Sequence, residues 1–294
     1  MDAPGVDAPG VDAGPRDGGP PPMPTACDYE PPAGAVLYVA TDGDDDAGDG
    51  SMGAPFATIT AALDAASDGT TILVRPGMYT GRIRMRGTFA MGVTVRSEVP
   101  YMAQLRNDDT VMTFYEAGAG CEGITLEGFD IAHSGPGAGA LVVHLDGGGN
   151  NQVSRITIRN NVLHDSFNND VLKINNGIAD VLVERNLFFN QTGSDEHIDL
   201  NSAERVVIQD NIFLNDFEAS GRTNMGETSS HIVVKDSNGS GDIYTGSRDI
   251  TIRRNVFLHR QADSGTGLPL PGHAAQQSTA PHGTPATHYH PTTP

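Results

Sequence analysis

A repeat within the chain constrains its fold more than any other feature. Five segments share one pattern: ITLEGFDIAHS from Ile124, ITIRNNVLHDS from Ile156, VLVERNLFFNQ from Val181, VVIQDNIFLND from Val206 and ITIRRNVFLHR from Ile250. Each has apolar residues at its first and third positions and a bulky apolar residue at its eighth. The sixth position is Asn in four of them and Phe129 in the first. Their starts lie 32, 25, 25 and 44 residues apart. Shorter alternating segments lie between them: LVVHLDG from Leu141, VLKINNG from Val171, HIDLNSA from His197 and HIVVKDS from His231. A period near 25 is too short for a strand–helix–strand unit and lacks helical spacing. It fits one coil of a parallel β-solenoid, where each coil buries its apolar face only against its neighbours. Asn160, Asn161, Asn186, Asn211 and Asn255 then fall at turns. Asn tolerates left-handed backbone, and stacked Asn side chains hydrogen-bond from coil to coil.

The chain has 294 residues, a length that by itself suggests two domains. A solenoid instead grows by adding coils to one core. Of the 19 prolines, nine lie in 1–34 and six in 269–294. One folded body over 35–268 with proline-rich, disordered ends is therefore expected. The opening segment, with its tandem APGVD, reads as a linker. Linkers of this kind follow secretion or lipoprotein signals, so the native chain is expected to begin upstream of Met1. Residues 269–294 show no alternation, no charged side chain except histidine and no terminal cap, so an interrupted solenoid is expected there.

The net charge is −19. Six acids and Arg16 give −5 in the first 34 residues, and the tail adds nothing, which leaves −14 on the body. Such a surface excludes non-specific nucleic-acid binding and permits divalent cations. No apolar run is long enough for a membrane-spanning helix. Cys27 and Cys121 allow either one disulfide or two separate thiols. The acidic DGDDDAGDGS (42–51) has Ala47 and Gly53 where a calcium loop needs Gly and Glu, so it reads as a turn. A short helix with Phe56, Ile59, Leu63 and Ala66 on one face follows it and caps the solenoid.

YVATDGDDDAGDGSMGAPFATITAALDAASDGTTILVRPGMYTGRI (38–83) resembles the N-terminal cap of right-handed parallel β-helix proteins of the pectate lyase superfamily. Residues 168–216 resemble the central coils of secreted bacterial members. The resemblance implies an all-β, single-stranded right-handed parallel β-helix of about eight coils with a short N-terminal capping α-helix. It is less specific for activity, since this scaffold carries lyases, hydrolases, epimerases and binders.

Alternation places chemistry on one strand series. With Leu172 and Ile174 inward, Val171, Lys173 and Asn175 point outward. The same phase aligns His144, Lys173, Asp199 and Val233 in one exterior column, and Asp146, Asn175, Asn201 and Lys235 in the next. His197 and His231 take the phase of Val171. The loops entering this face carry Asp165, Asp170, Asp195 and Glu196, with Arg222 in a longer insertion. Only two lysines stand against 16 arginines, and both lie in this series. Lysine loses its proton where its surroundings lower its pKa, which arginine does not, so Lys173 is a candidate base.

NNDVLKIN (168–175) is similar to the base-bearing strand of the chondroitinase B and alginate lyase family. That resemblance implies Lys173 as the base that removes the C5 proton of a uronate. It also implies Ca²⁺ held by hard oxygen ligands, with Asp165, Asp170, Asp195, Glu196 and Asp199 available. The family's arginine on the following coil is replaced here by Asp199 or Asn201. His144, Asn175, His197, Asn201, Arg222, His231 and Lys235 are the substrate-binding candidates. A hydrolase would instead pair Asp170 with Asp195 or Asp199. The expectation is an extracytoplasmic, monomeric polysaccharide lyase acting on an acidic glycan, or else a non-catalytic glycan-binding or structural surface protein.

Overall fold

A computed structural model describes residues 31–32, 34–115, 120–148, 153–190, 196–216, 230–236, 244, 246–260 and 276–277. Its strands form three parallel sheets wound around one core. The first sheet stacks, in order, Val36–Val39, Thr71–Val74, Gly87–Ser97, Cys121–Glu127, Val153–Arg159, Ala179–Glu184, Glu204–Gln209 and Arg248–Arg253. The second runs from Gly77–Thr80 through Ala103–Asn107, Asp130–His133, Val162–His164, Leu187–Phe189 and Ile212–Asp216 to Val256–Arg260. The third runs from Ile83–Met85 through Met112–Phe114, Val143–Asp146, Leu172–Asn175 and Ile198–Asn201 to Ile232–Lys235 and Gln276–Gln277. The chain is thus an all-β parallel β-helix, and the eight rungs of the first sheet match the expected number of coils.

Each 11-residue repeat is two strands rather than one. Its first and third positions point into the core from the first sheet. The chain then bends, and the eighth position points inward from the second. The sixth position occupies the bend. Asn161, Asn186 and Asn211 are buried there. Asn186 Oδ1 accepts from the backbone N of Asn161 (2.9 Å) and from its Nδ2 (3.1 Å). Asn186 Nδ2 in turn donates to Ile158 O (2.9 Å) and Asn211 Oδ1 (3.0 Å). The same bonds link Asn211 to Asn255. The left-handed residue is not this asparagine but the one before it: Gly128, Asn160, Arg185, Asp210 and Arg254 have φ between 53° and 78°. Asn160 alone among the five expected turn asparagines takes that conformation. The others use their amides to replace ladder bonds that the bend breaks. An Asn186→Ala substitution strands donors and acceptors on three rungs at once. It is expected to cost roughly 3 kcal/mol, read from the urea midpoint.

A charge ladder on the outside of the first sheet reinforces the register. Arg96, Glu127, Arg159, Glu184, Gln209 and Arg253 stand opposite one another in successive strands. The sign alternates along most of this column, so a slip of one coil would bring like charges together.

The cap differs from expectation in extent. The helix is Ile59–Ala65, with Ile59, Ala62 and Leu63 buried. Phe56 lies outside it, bridged to Val39, and Ala66 is its C-cap. The acidic loop is a turn: Asp44 Oδ1 accepts from the N–H groups of Asp46 and Ala47. Asp45 accepts from the N–H groups of Ala57 and Thr58 and from the Thr58 hydroxyl. Thr58 caps the helix by accepting from Ala61 N at 3.1 Å.

Cys121 is buried, whereas Cys27 lies outside the described residues. So do residues 1–30 and most of the expected tail. Within that tail, Gln276 and Gln277 pair with Val233 and Val234. No helix among the described residues is long and apolar enough to cross a membrane.

Candidate functional site

The third sheet carries the expected columns in register, but Asn175, Asp199 and Asn201 in them are buried rather than exterior. His144 stands opposite Lys173, Lys173 opposite Asp199 and Asp199 opposite Val233. Asp146 stands opposite Asn175, and Asn201 opposite Lys235. The third expected column is inside, which corrects its assignment. Val171, His197 and His231 are buried, together with Val142 from the coil before. The chain turns sharply into this sheet, so two consecutive residues face inward at each entry and alternation breaks. The His197 and His231 rings stack 5.1 Å apart with their Nδ1 atoms 3.0 Å from each other. They contact Phe213, and they line the core rather than a ligand surface.

Lysine and acid meet as the columns require. Lys173 Nζ lies 2.5 Å from Asp199 Oδ2 and 3.4 Å from Asp170 Oδ2. Lys235 Nζ lies 3.0 Å from the same Asp199 oxygen. Lys235 sits one rung further along and in the neighbouring column, so its long side chain reaches diagonally. Asp170 and Glu196 occupy equivalent turns on successive coils. Val171 N donates to Glu196 O (3.1 Å), and Glu196 N donates to Asp170 Oδ1 (3.2 Å). Asp170, Glu196 and Asp199 each present one oxygen within a 4.8 Å cluster, and among the described residues these are the groups able to hold a metal ion. Among the described residues, buried Asp199 Oδ1 accepts no hydrogen bond and neither polar atom of buried Asn201 has a partner.

Burial and Asp170 together push the Glu196 carboxyl up to about 8. Burial and the Asp199 charge also raise Asp170. Burial works against the charge on Asp199 too, but Lys173 and Lys235 outweigh it and hold this carboxyl below its usual range. Burial pulls Lys173 down, and Asp199 and Asp170 outweigh that pull, so its ammonium form is favoured. On the other side of Lys173, burial lowers the His144 pKa, and His144 Nε2 lies 2.9 Å from Asn175 Oδ1.

Asp165 does not join this cluster. It follows Val162–His164 in left-handed conformation (φ 49°), which turns its side chain along the second sheet. There it bonds His164 Nδ1 (2.8 Å) and Asn190 Nδ2 (2.9 Å). His164 Nε2 reaches Asp130 Oδ1 (3.0 Å), and Asp130 is also paired with Arg106. The ring stacks on Phe189 with centroids 4.5 Å apart. Repeat alignment holds the signal for this second cluster, since His164 stands opposite Ala132, two residues after Asp130.

Burial lowers the His164 pKa, but Asp130 and Asp165 outweigh it and raise it above 6.5. Its stabilising effect is therefore complete below 6.5 and lost as pH rises through the folded pKa. The thermal midpoint of the protein is expected to fall across that alkaline window. In a His164→Gln variant this component of the fall should vanish. Asp195 and Arg222 lie outside the described residues.

Three parallel sheets on one apolar core, with an acid–lysine cluster on the third, define a parallel β-helix protein. A family model described as a protein of unknown function (DUF1565) matches residues 41–99, which span the cap and the first coils. No curated protein matches the chain. Among solved structures, Escherichia coli YbhC is 14% identical with a TM-score of 0.47, covering 83% of this chain and 68% of that one. Pectin methylesterase PemA from Erwinia chrysanthemi is 11% identical at 0.44, covering 78% and 67%. Pectate lyase Pel9A is 18% identical at 0.42, covering 77% and 61%.

Proposed function

We propose that this protein acts outside the cytoplasm on an acidic, uronate-containing polysaccharide. The reaction is β-elimination, with Lys173 as the base and a divalent cation, Ca²⁺ by ligand chemistry, at Asp170, Glu196 and Asp199. The observation that carries the proposal is the set of three carboxylates converging beside Lys173, one of them with a buried oxygen that accepts nothing from the described residues. The donors are hard oxygens, which suit Ca²⁺. When bound, such a cation would neutralise the sugar carboxylate and make the adjacent C–H more acidic.

The remaining work falls to the chain's own side chains. A surface of net negative charge repels a polyanion, so attraction must be local. Lys173 and Lys235 supply the only ammonium side chains of the sequence at this point. Lys173 is a poor base while its proton is held between Asp199 and Asp170. It becomes a base when the charge on those groups is taken up elsewhere. Once Nζ has released its own proton to solvent, it takes the proton from C5; the C–H electron pair forms the C4=C5 double bond, the C4–O bond breaks, and the leaving oxygen is protonated from solvent. His144 and Asn175 flank Lys173 and would orient the sugar. The amide of Asn201 is buried and has no partner among the described residues.

A panel of uronate polymers, incubated with the protein in Ca²⁺ or in chelator, tests this proposal. Ultraviolet absorbance of unsaturated products in Ca²⁺ alone is the expected result. The internally neutralised state of Lys173 favours a second reading, a glycan-binding protein without catalysis. Glycan binding with no product from any polymer would select it.

A further inference from the structure

Two ammonium groups on one carboxylate oxygen are an unusual arrangement. Asp199 Oδ2 receives Lys173 at 2.5 Å and Lys235 at 3.0 Å, so the two nitrogens lie no more than about 5.5 Å apart. Like charges repel at that separation unless an anion lies between them. The sequence has 16 arginines and two lysines, and both lysines meet here. Their combined charge equals that of one divalent cation.

We infer that Lys173 and Lys235 are the resident counter-ions of the carboxylate cluster, and that a divalent cation enters only by displacing both ammonium groups from Asp199. This rests on the cation site of the reading above and adds its regulation. Three features support it beyond the acidic cluster. Asp199 Oδ1 is buried with no partner among the described residues, so one oxygen of this carboxylate stays unsatisfied while the lysines hold the other. The amide of Asn201 is buried, with neither its oxygen nor its nitrogen engaged by the described residues, and Asn201 stands opposite Lys235. Finally, the lysines have somewhere to go: their side chains are 20% and 43% exposed, against 2% for Asp199. The exchange leaves the charge of the site unchanged, which removes the main cost of putting a cation beside the lysines. It also sends two ammonium groups outward, toward an anionic polymer. Without the cation the lysines neutralise the carboxylates. With it they are freed for substrate.

Titration calorimetry of the full chain with Ca²⁺ alone tests the inference. Lys173→Met and Lys235→Met should each bind Ca²⁺ at least about tenfold more tightly than the natural protein, because a repelling charge has gone. Lys235→Arg keeps the charge and should stay close to the natural affinity. Amine labelling of Lys173, read by mass spectrometry, should rise when Ca²⁺ is added to the natural protein. Equal or weaker Ca²⁺ binding by both methionine variants, with circular dichroism unchanged, would overturn the competition and leave the cation site standing. Absence of Ca²⁺ binding in the natural protein and in both variants would overturn the cation site as well.

Discussion

Replacing Phe213 with alanine is expected to destabilise the protein by about 3–5 kcal/mol. Phe213 is fully buried at the eighth position of its repeat. Its ring stacks on Phe188 at 4.9 Å on one side and on Phe257 at 5.1 Å on the other, with interplanar angles of 12° and 10°. These separations are near the ~4.8 Å spacing of neighbouring strands, so the stack follows directly from the coil repeat. The His197 and His231 rings close the third side at 5.7 and 6.0 Å. Truncation therefore opens a cavity that borders three coils, and each coil is held in register by the ladders beside it. Collapse into the space would require several strands to shift together, so the upper part of the range is expected. The check is a fall in the urea midpoint with unchanged slope. A Phe213→Leu variant should lose distinctly less, since it keeps most of the volume.

Lys173→Ala is expected to lower lyase turnover by ~10²–10⁴-fold, the scale for loss of a positioned base. The fold should survive, because the side chain lies on the outer face and Lys235 remains on Asp199. Substrate affinity should change less than turnover. A rise in KM alone would assign Lys173 to binding and not to proton removal.

The inward positions of the coils were legible because burial in a solenoid obeys strict alternation within each strand. The sequence pattern therefore placed Leu172, Ile174, Ile198 and Leu200 in the core, as they are. Alternation also brought His144, Lys173 and Asp199 into one column, because neighbouring coils differ by whole rungs. Corners broke the inference. Val171, His197 and His231 precede strands at a bend, where two successive side chains turn inward, and no periodic pattern marks such a place. The bend inside each repeat was hidden for a related reason. Its asparagine looks like a turn residue but acts as a buried hydrogen-bond bridge, while Arg185, Asp210 and Arg254 take the left-handed backbone.

Side-chain reach was the other limit. Column logic pairs Lys235 with Asn201, yet its four-carbon stem carries the charge to Asp199. Asp165 shows the converse. It lies close in sequence to Asp170, but one left-handed residue directs it to another sheet.

The account stands or falls on where an acidic glycan sits. A crystal structure of Lys173→Ala with a uronate oligosaccharide and Ca²⁺ measures this directly. The prediction is sugar along the third sheet between His144 and Lys235, with a cation bound by Asp170, Glu196 and Asp199. Glycan bound on the first or second sheet, with those three carboxylates unchanged, would contradict it.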